Sequence, residues 1–136
     1  MKKLFILLVL LASISGCKKT IEKIQEDLII KALTDGQWAI TSFKVNGTDI
    51  TASFSPYKFQ YYSNKTVDAI KNGTVEKTGT WDGNATAMTT SANFPSATYP
   101  LVLINGTWNV VNTGSTYIVV TQTNGSEIKT MRLDKL

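Results

Sequence analysis

The sequence predicts an all-β domain of antiparallel strands joined by tight turns, with one short helix before it. Asn-Gly or Asp-Gly pairs recur through most of the chain, and such pairs tolerate the positive φ angles of hairpin turns. The segments between them are rich in Thr, Val and aromatic residues, and several alternate apolar and polar side chains. No crossover helix fits between these segments, so neighbouring strands pair in sequence. The length of 136 residues suffices for one domain.

The chain begins with a segment typical of a signal peptide. Met1-Lys2-Lys3 is basic, and Leu4–Ala12 is an unbroken apolar run. A helix that crosses a bilayer needs about 20 apolar residues, so this run matches the shorter apolar region of a signal peptide instead.

The residues that follow, Ile14-Ser15-Gly16-Cys17, resemble the lipobox of bacterial lipoproteins. The resemblance implies that the Cys17 thiol takes a diacylglycerol and that cleavage leaves Cys17 as the first residue. Acyl chains contribute about 0.8 kcal/mol per buried methylene, so two or three of them hold a protein on a membrane. An Asp directly after the cysteine would resemble an inner-membrane retention signal. Lys18 occupies that position instead, which favours the outer membrane of a Gram-negative envelope. The alternative is an ordinary secretory signal followed by a buried cysteine.

Residues 20–33 are predicted to form an amphipathic helix. Its apolar residues recur at helical spacing, and they are Ile21, Ile24, Leu28, Ile29, Ala32 and Leu33. Such a helix either lies on the membrane beside the acyl groups or packs on the following domain and covers one end of it. The polar face carries Glu22, Glu26 and Asp27 rather than only lysines, which favours the packed arrangement. The predicted organisation is a signal peptide over 1–16, a tether with this helix over 17–33 and a β domain over 34–136.

Strands are predicted at 37–45, 56–62, 66–71, 74–82, 85–90, 99–104, 106–112, 116–123 and 126–134. A sequential antiparallel meander of short strands closes as a barrel or folds as a sandwich.

All three tryptophans follow a glycine by two residues, in Gly36-Gln37-Trp38, Gly79-Thr80-Trp81 and Gly106-Thr107-Trp108. In each copy the glycine relieves crowding where a strand begins or bends, and the ring points to the same face. The first copy follows the helix and opens the first strand, which resembles the lipocalin signature. The resemblance covers about residues 33–136 and is greatest to the short lipocalin-like domains of bacterial outer-membrane lipoproteins. It implies an up-and-down eight-stranded barrel whose helix closes one end above Trp38.

The lipocalin resemblance also implies a structural role for a basic residue of the last strand. In that family an Arg lies across the Trp, and Arg132 is the corresponding candidate, so we expect Gly36, Trp38 and Arg132 to support the fold. An eight-stranded barrel needs one strand fewer than the nine predicted, and 99–104 is the segment that we expect to form a loop or a lid.

The composition argues against several functional classes. The chain has no His and a single Cys, which removes Ser-His-Asp and Cys-His triads and Cys/His zinc sites. Its carboxylates are scattered and form no calcium-loop motif, so we expect no enzyme activity, no metal and no cofactor. From Thr34 onward, eight basic and seven acidic residues are dispersed. We therefore expect no nucleic-acid partner, because such a partner requires a concentrated basic face.

Two functions from different classes remain. The first is a carrier that holds a small apolar or amphipathic molecule in the barrel, with a candidate lining of Phe43, Tyr57, Phe59, Tyr61, Trp81 and Trp108. The second is an interaction module whose loops bind a protein or a glycan, through the stretch Thr89–Pro100 with Phe94 and Tyr99 exposed. A third reading is a packed domain without a ligand. A cavity of about 300 Å³ or more would favour the carrier.

Overall fold

The computed structural model describes residues 26–136. The predicted signal peptide, Cys17 and the first part of the predicted helix lie outside these residues. Residues 26–34 are helical, and two 3₁₀ helices lie further along, at Thr51–Phe54 and Leu101–Ile104. The strands are β1 (Trp38–Val45), β2 (Thr48–Asp49), β3 (Tyr57–Tyr61), β4 (Thr66–Lys71), β5 (Thr74–Asn84), β6 (Thr89–Asn93), β7 (Gly106–Thr113), β8 (Tyr117–Asn124) and β9 (Glu127–Lys135). Between residues 26 and 136, no helix has the length and the apolar character needed to cross a bilayer.

The pairing of the strands confirms the predicted up-and-down barrel. Each strand from β3 to β8 pairs antiparallel with the next one in sequence, and β1 closes the sheet by pairing with both β3 and β9. Strand β2 only completes a hairpin with the end of β1, so eight strands form the barrel. The turns Asn46-Gly47 and Asn72-Gly73 have positive φ at both residues, as the predicted tight hairpins require.

Residues 99–104, the segment that an eight-stranded barrel leaves over, do not form a strand. Pro100 has no N–H to offer a strand ladder, and the 3₁₀ helix Leu101–Ile104 follows it. Side chains three residues apart share one face of a 3₁₀ helix, so both Leu101 and Ile104 enter the core.

The predicted strand over 85–90 is displaced. Strand β5 continues through Asp82-Gly83 to Asn84, and β6 begins only at Thr89. The chain reverses direction between Asn84 and Thr89. There the Asn84 side chain accepts a hydrogen bond from the N–H of Ala87 at 2.9 Å, and Met88 has a positive φ of 53°. Asp82-Gly83 is therefore part of a strand and not a hairpin turn.

Aromatic side chains fill the barrel at one end, called here the closed end, which the two 3₁₀ helices cover. Phe43 stacks on Phe54 with ring centroids 4.7 Å apart and meets Trp108 edge to face at 6.0 Å. Phe94, from the long connection between β6 and β7, is also buried there and its ring lies 6.3 Å from that of Phe59. These contacts leave the closed end packed with side chains.

The helix covers the other end of the barrel, called here the helix end, where Trp38 begins β1. The Trp38 indole N–H donates to the carbonyl of Leu33 at 3.0 Å, and Ile30 and Leu33 pack against the core. Gly36, with φ of +83°, turns the chain from the helix into the barrel, and a Cβ there would lie 3.3 Å from the Lys135 side chain. Residues 26–34 thus pack on the domain, with Trp38 beneath them.

We predict that Trp38→Ala lowers the free energy of unfolding by about 3–5 kcal/mol, because it removes a buried ring and the tie to the helix. The matched variant Trp38→Phe keeps a ring but leaves the Leu33 carbonyl without its donor. Loss of that hydrogen bond should lower the free energy of unfolding by about 1 kcal/mol, in addition to the packing lost with the smaller ring. Urea unfolding followed by far-ultraviolet circular dichroism measures both. A loss below about 1 kcal/mol for Trp38→Ala would contradict this role.

Candidate ligand-binding cleft

A cleft of about 610 Å³ lies at the helix end, between the helix and the rim of the barrel. One wall is the helix, and the other is formed by the β5–β6 turn, the β7–β8 turn and the adjacent strand ends. The apolar side chains that line it are Leu28, Ile29, Leu33, Trp38, Met88, Val110 and Ile118. The cleft therefore depends on the angle at which the helix meets the barrel.

Local backbone features shape the barrel side of the cleft. The pairing of β7 with β8 shifts register between Val110 and Asn112, which marks a β-bulge at the rim. The N–H of Val110 donates to the carbonyl of Met88 at 2.8 Å, so the β5–β6 turn is fixed to β7. On β5, Gly83 has no side chain, and a Cβ there would lie 4.0 Å from Ile29 of the helix. The helix thus approaches the rim at Gly83 while the cleft remains beside it.

Charged residues lie together at one edge of the cleft. Lys135 Nζ is 3.0 Å from a carboxylate oxygen of Asp35, and Lys31 precedes Asp35 by one helical turn. All three residues line the cleft. This edge therefore holds two lysines and one aspartate. No carboxylate of residues 26–136 lies within 4.0 Å of Lys31 Nζ.

The cleft leads towards a small cavity of about 40 Å³ inside the barrel. Leu33, Trp38, Thr90 and Ile118 line both spaces, so they form the boundary between them. Such a cavity has room for a methyl group or a water molecule. The interior is therefore not a continuous channel from one end to the other.

The six aromatic residues predicted to line a binding site lie elsewhere. Phe43, Tyr57, Phe59, Trp81 and Trp108 are buried in the core, while Tyr61 is partly buried. None of the six lines the 610 Å³ cleft, and only Tyr61 and Trp108 reach the 40 Å³ cavity. The alternating pattern identified their inward orientation, but an inward side chain fills a barrel as readily as it lines a mouth.

The predicted contact between Arg132 and Trp38 is also wrong. Arg132 is exposed, its guanidinium lies 4.7 Å from the ring centroid of Tyr117, and it forms two hydrogen bonds with Asp134. Lys135 is the residue of β9 that lies directly opposite Trp38 in the sheet register, so it shares that face. Because side chains alternate along a strand, Arg132 has the opposite orientation.

The surface predicted for an interaction module differs from expectation. Phe94, expected to be exposed, is 1% exposed because it packs in the closed end. Tyr99 is 61% exposed, and its hydroxyl lies 2.8 Å from the hydroxyl of Ser53.

The large aliphatic residues of the cleft that the sequence left unassigned are Met88, Val110 and Ile118. Ile118 and Val110 lie on predicted strands, but nothing local separates a strand residue at a rim from one in the core. Leu28, Ile29 and Leu33 belong to the predicted apolar stripe of the helix, which was the only usable signal for this site.

Two tyrosines of β3, Tyr57 and Tyr61, have hydroxyl groups with raised pKa values. Loss of hydration, followed by a hydrogen bond to Glu76 at 2.6 Å, raises the pKa of Tyr57 to about 12. Burial alone raises the pKa of Tyr61 well above its ordinary value. Tyr61 packs edge to face on Trp81, with centroids 5.7 Å apart.

Comparison with known proteins supports the fold. The chain matches no model of a known protein family and no curated protein. Its structure is similar to the crystal structure of a DUF4847 family protein from Bacteroides vulgatus, with a TM-score of 0.55 and 11% sequence identity. The match covers 78% of this chain and 96% of that chain. At this identity the similarity concerns the barrel fold alone.

We predict that Tyr57 and Tyr61 stay protonated at pH 11 in the folded protein, although a free phenol has a pKa of about 10. Absorbance at 295 nm should then be lower in the folded than in the unfolded chain at this pH, and Tyr57→Phe and Tyr61→Phe should each reduce the difference. The folded state holds these protons more tightly than the unfolded chain does. The two phenols therefore stabilise the folded state fully below pH 10, and this stabilisation is lost as pH rises towards 12. A folded protein that titrates like the unfolded chain would show that water reaches both phenols.

Proposed function

We propose that this protein is a membrane-anchored, lipocalin-like carrier that binds a small apolar or amphipathic molecule at the helix end of its barrel. The observation that carries the proposal is the 610 Å³ cleft. Its volume lies in the range of about 300–1,000 Å³ that is usual for small-molecule sites, and its lining is mainly apolar.

The apolar walls would supply the affinity. Each methylene group transferred from water to such a surface contributes about 0.8 kcal/mol. Leu28 is 60% exposed and Met88 50% exposed, so a ligand between them would cover apolar surface that now meets water. A packed domain without a ligand would have no comparable reason to keep these side chains facing one cleft.

The lipocalin resemblance supports the same proposal. Gly36 and Trp38 occupy the positions that the signature implies, at the entry to an eight-stranded barrel and under a helix. The site differs from a barrel mouth, however, because aromatic side chains fill the closed end. The ligand of this protein would bind against the helix instead.

A lipid anchor at Cys17 would place the cleft near a membrane. Glu26 is the ninth residue after Cys17, and an extended chain spans at most about 3.6 Å per residue, or about 32 Å in total. The start of the helix would therefore lie within that distance of the bilayer surface. An outer-membrane location in a Gram-negative envelope, no enzymatic activity and no nucleic-acid partner complete the proposal.

The alternative function is an envelope module that binds a protein or a glycan through its loops. The observation that favours it is the exposed pair Tyr99 and Val102, which lie near each other on the long connection at the closed end. Two side chains form a small patch, and Phe94 does not extend it because it is buried. The carrier is therefore the stronger candidate.

We predict that a 12-carbon alcohol carrying a diazirine and an alkyne labels the full chain saturably in isolated membranes. After irradiation and proteolysis, label should be found in peptides that contain residues 26–35 or 110–118, and excess dodecanol should compete. Val110→Trp should reduce the labelling at least about fivefold because its ring occupies the cleft. Val111→Trp is the matched control, since Val111 is 58% exposed and does not line the cleft.

Thermal unfolding of both variants shows whether either change disturbs the fold. If Val110→Trp does not fold, Met88→Trp, on the exposed turn, tests the same wall of the cleft. Labelling that is not saturable, or that both Val110→Trp and Val111→Trp leave unchanged, would contradict the carrier.

We predict that metabolic labelling with an alkyne-bearing palmitate marks the wild-type protein and that Cys17→Ala abolishes the label. The chain has a single cysteine, so no other thiol can accept the acyl group. Label that persists in Cys17→Ala would contradict acylation at this residue.

A further inference from the structure

We propose that the ligand of the cleft is a single-chain amphiphile with a carboxylate head, held by Lys31. This inference rests on the proposed carrier function and adds the chemical class of the ligand. It depends on the positions of three charged side chains, on the hydrogen bonds at the end of the helix and on the shape of the space behind the cleft.

Among the residues that line the charged edge of the cleft, two lysines accompany one aspartate. Asp27, one turn before Lys31, does not line the cleft, and its carboxylate forms no ion pair with Lys31. Asp35 and Lys135 neutralise each other at 3.0 Å, and Lys31 is one turn before Asp35 on the same face of the helix. Since no carboxylate of the described residues lies within 4.0 Å of Lys31, its ammonium is available to an anion. Lys31 would repel a cationic head and could donate a hydrogen bond to a neutral head, but only an anionic head would add ion-pair attraction to that hydrogen bond.

The carbonyl groups at the end of a helix would normally disfavour an anion. Here three of them already accept hydrogen bonds. The Thr34 hydroxyl donates to the carbonyl of Ile30 at 2.7 Å, the N–H of Asp35 donates to that of Lys31 at 3.1 Å, and the Trp38 indole donates to that of Leu33. Three carbonyls near the negative end of the helix therefore have donors, and Lys31 adds a positive charge beside them.

The apolar part of the site suits one tail. The walls of the cleft converge on Leu33, Trp38 and Ile118, which also bound the 40 Å³ cavity behind them. A space of that size beyond the boundary has room for a methyl-sized tip only, and we therefore infer that a single chain lies against these walls. A carboxylate near Lys31 with a tail directed towards Trp38 would thus use both the charged edge and the apolar walls.

The test compares three 12-carbon photoactivatable probes that differ only in the head group: a carboxylate, an alcohol and a quaternary ammonium. Each is applied to the full chain in isolated membranes. We expect the carboxylate to label the cleft peptides at a concentration about three- to tenfold lower than the alcohol, and the ammonium to label weakest. High salt should weaken carboxylate labelling and leave alcohol labelling unchanged, because screening acts only on the charged head.

Lys31→Gln should weaken carboxylate labelling more than alcohol labelling and so remove the preference for the carboxylate, because glutamine still offers an N–H to either head but no charge. Lys58→Gln is the matched control, because Lys58 is an exposed lysine that does not line the cleft. Equal labelling by carboxylate and alcohol in the wild type would overturn the inference and leave the carrier in place. An equal loss of carboxylate and alcohol labelling in Lys31→Gln would also overturn the inference, because it would indicate a structural role for this residue.

A photoactivatable phosphatidylglycerol tests the single-tail requirement. This probe has an anionic head and two acyl chains, so labelling of the cleft peptides as strong as that by the carboxylate would overturn the assignment to a single-chain ligand. Absence of saturable labelling by all the probes would instead contradict the carrier function itself. The two failures are therefore distinguishable.

Discussion

The hydrogen bond from the Trp38 indole to the Leu33 carbonyl joins the helix to the barrel, and the cleft exists because of that junction. Trp38 is 2% exposed, so both its ring and its donor are held in place by the core. Gly36 supplies the positive φ that brings the chain back into β1, and the Asp35–Lys135 ion pair lies across the same turn. Together these contacts set the angle between the helix and the rim, and hence the width of the space that a ligand would use.

Aromatic packing leaves little free space inside this barrel. An eight-stranded barrel is just wide enough for its side chains to fill it or for one small ligand to enter. Here Phe43, Phe54 and Trp108 fill the closed end, and the 3₁₀ helix Leu101–Ile104 adds two further apolar side chains. Little interior volume remains, so the helix supplies the second wall that a binding site needs.

Basic side chains on this protein serve different purposes according to their surroundings. Lys129 is buried, donates to the carbonyl of Leu103 at 3.0 Å and lies 5.5 Å from the ring centroid of Trp108, so it holds the long β6–β7 connection against the barrel. Arg132 pairs with Asp134 on the outer face. Lys31, by contrast, is exposed and lines the cleft, where its charge is hydrated. Net charge alone could not have distinguished these roles.

The sequence by itself determined the all-β class, the antiparallel order of the strands, the turns at Asn46-Gly47 and Asn72-Gly73 and the entry to the barrel at Gly36-x-Trp38. Each of these follows from local conformation: positive φ, the alternation of side chains or the space that a glycine leaves. Tertiary structure decided that Asp82-Gly83 continues a strand, that 101–104 forms a 3₁₀ helix within the core, that Lys135 and not Arg132 shares the face of Trp38, and that the cleft lies against the helix. The reason is that these outcomes depend on register and on the angle between elements, and both are set by contacts between residues far apart in the chain.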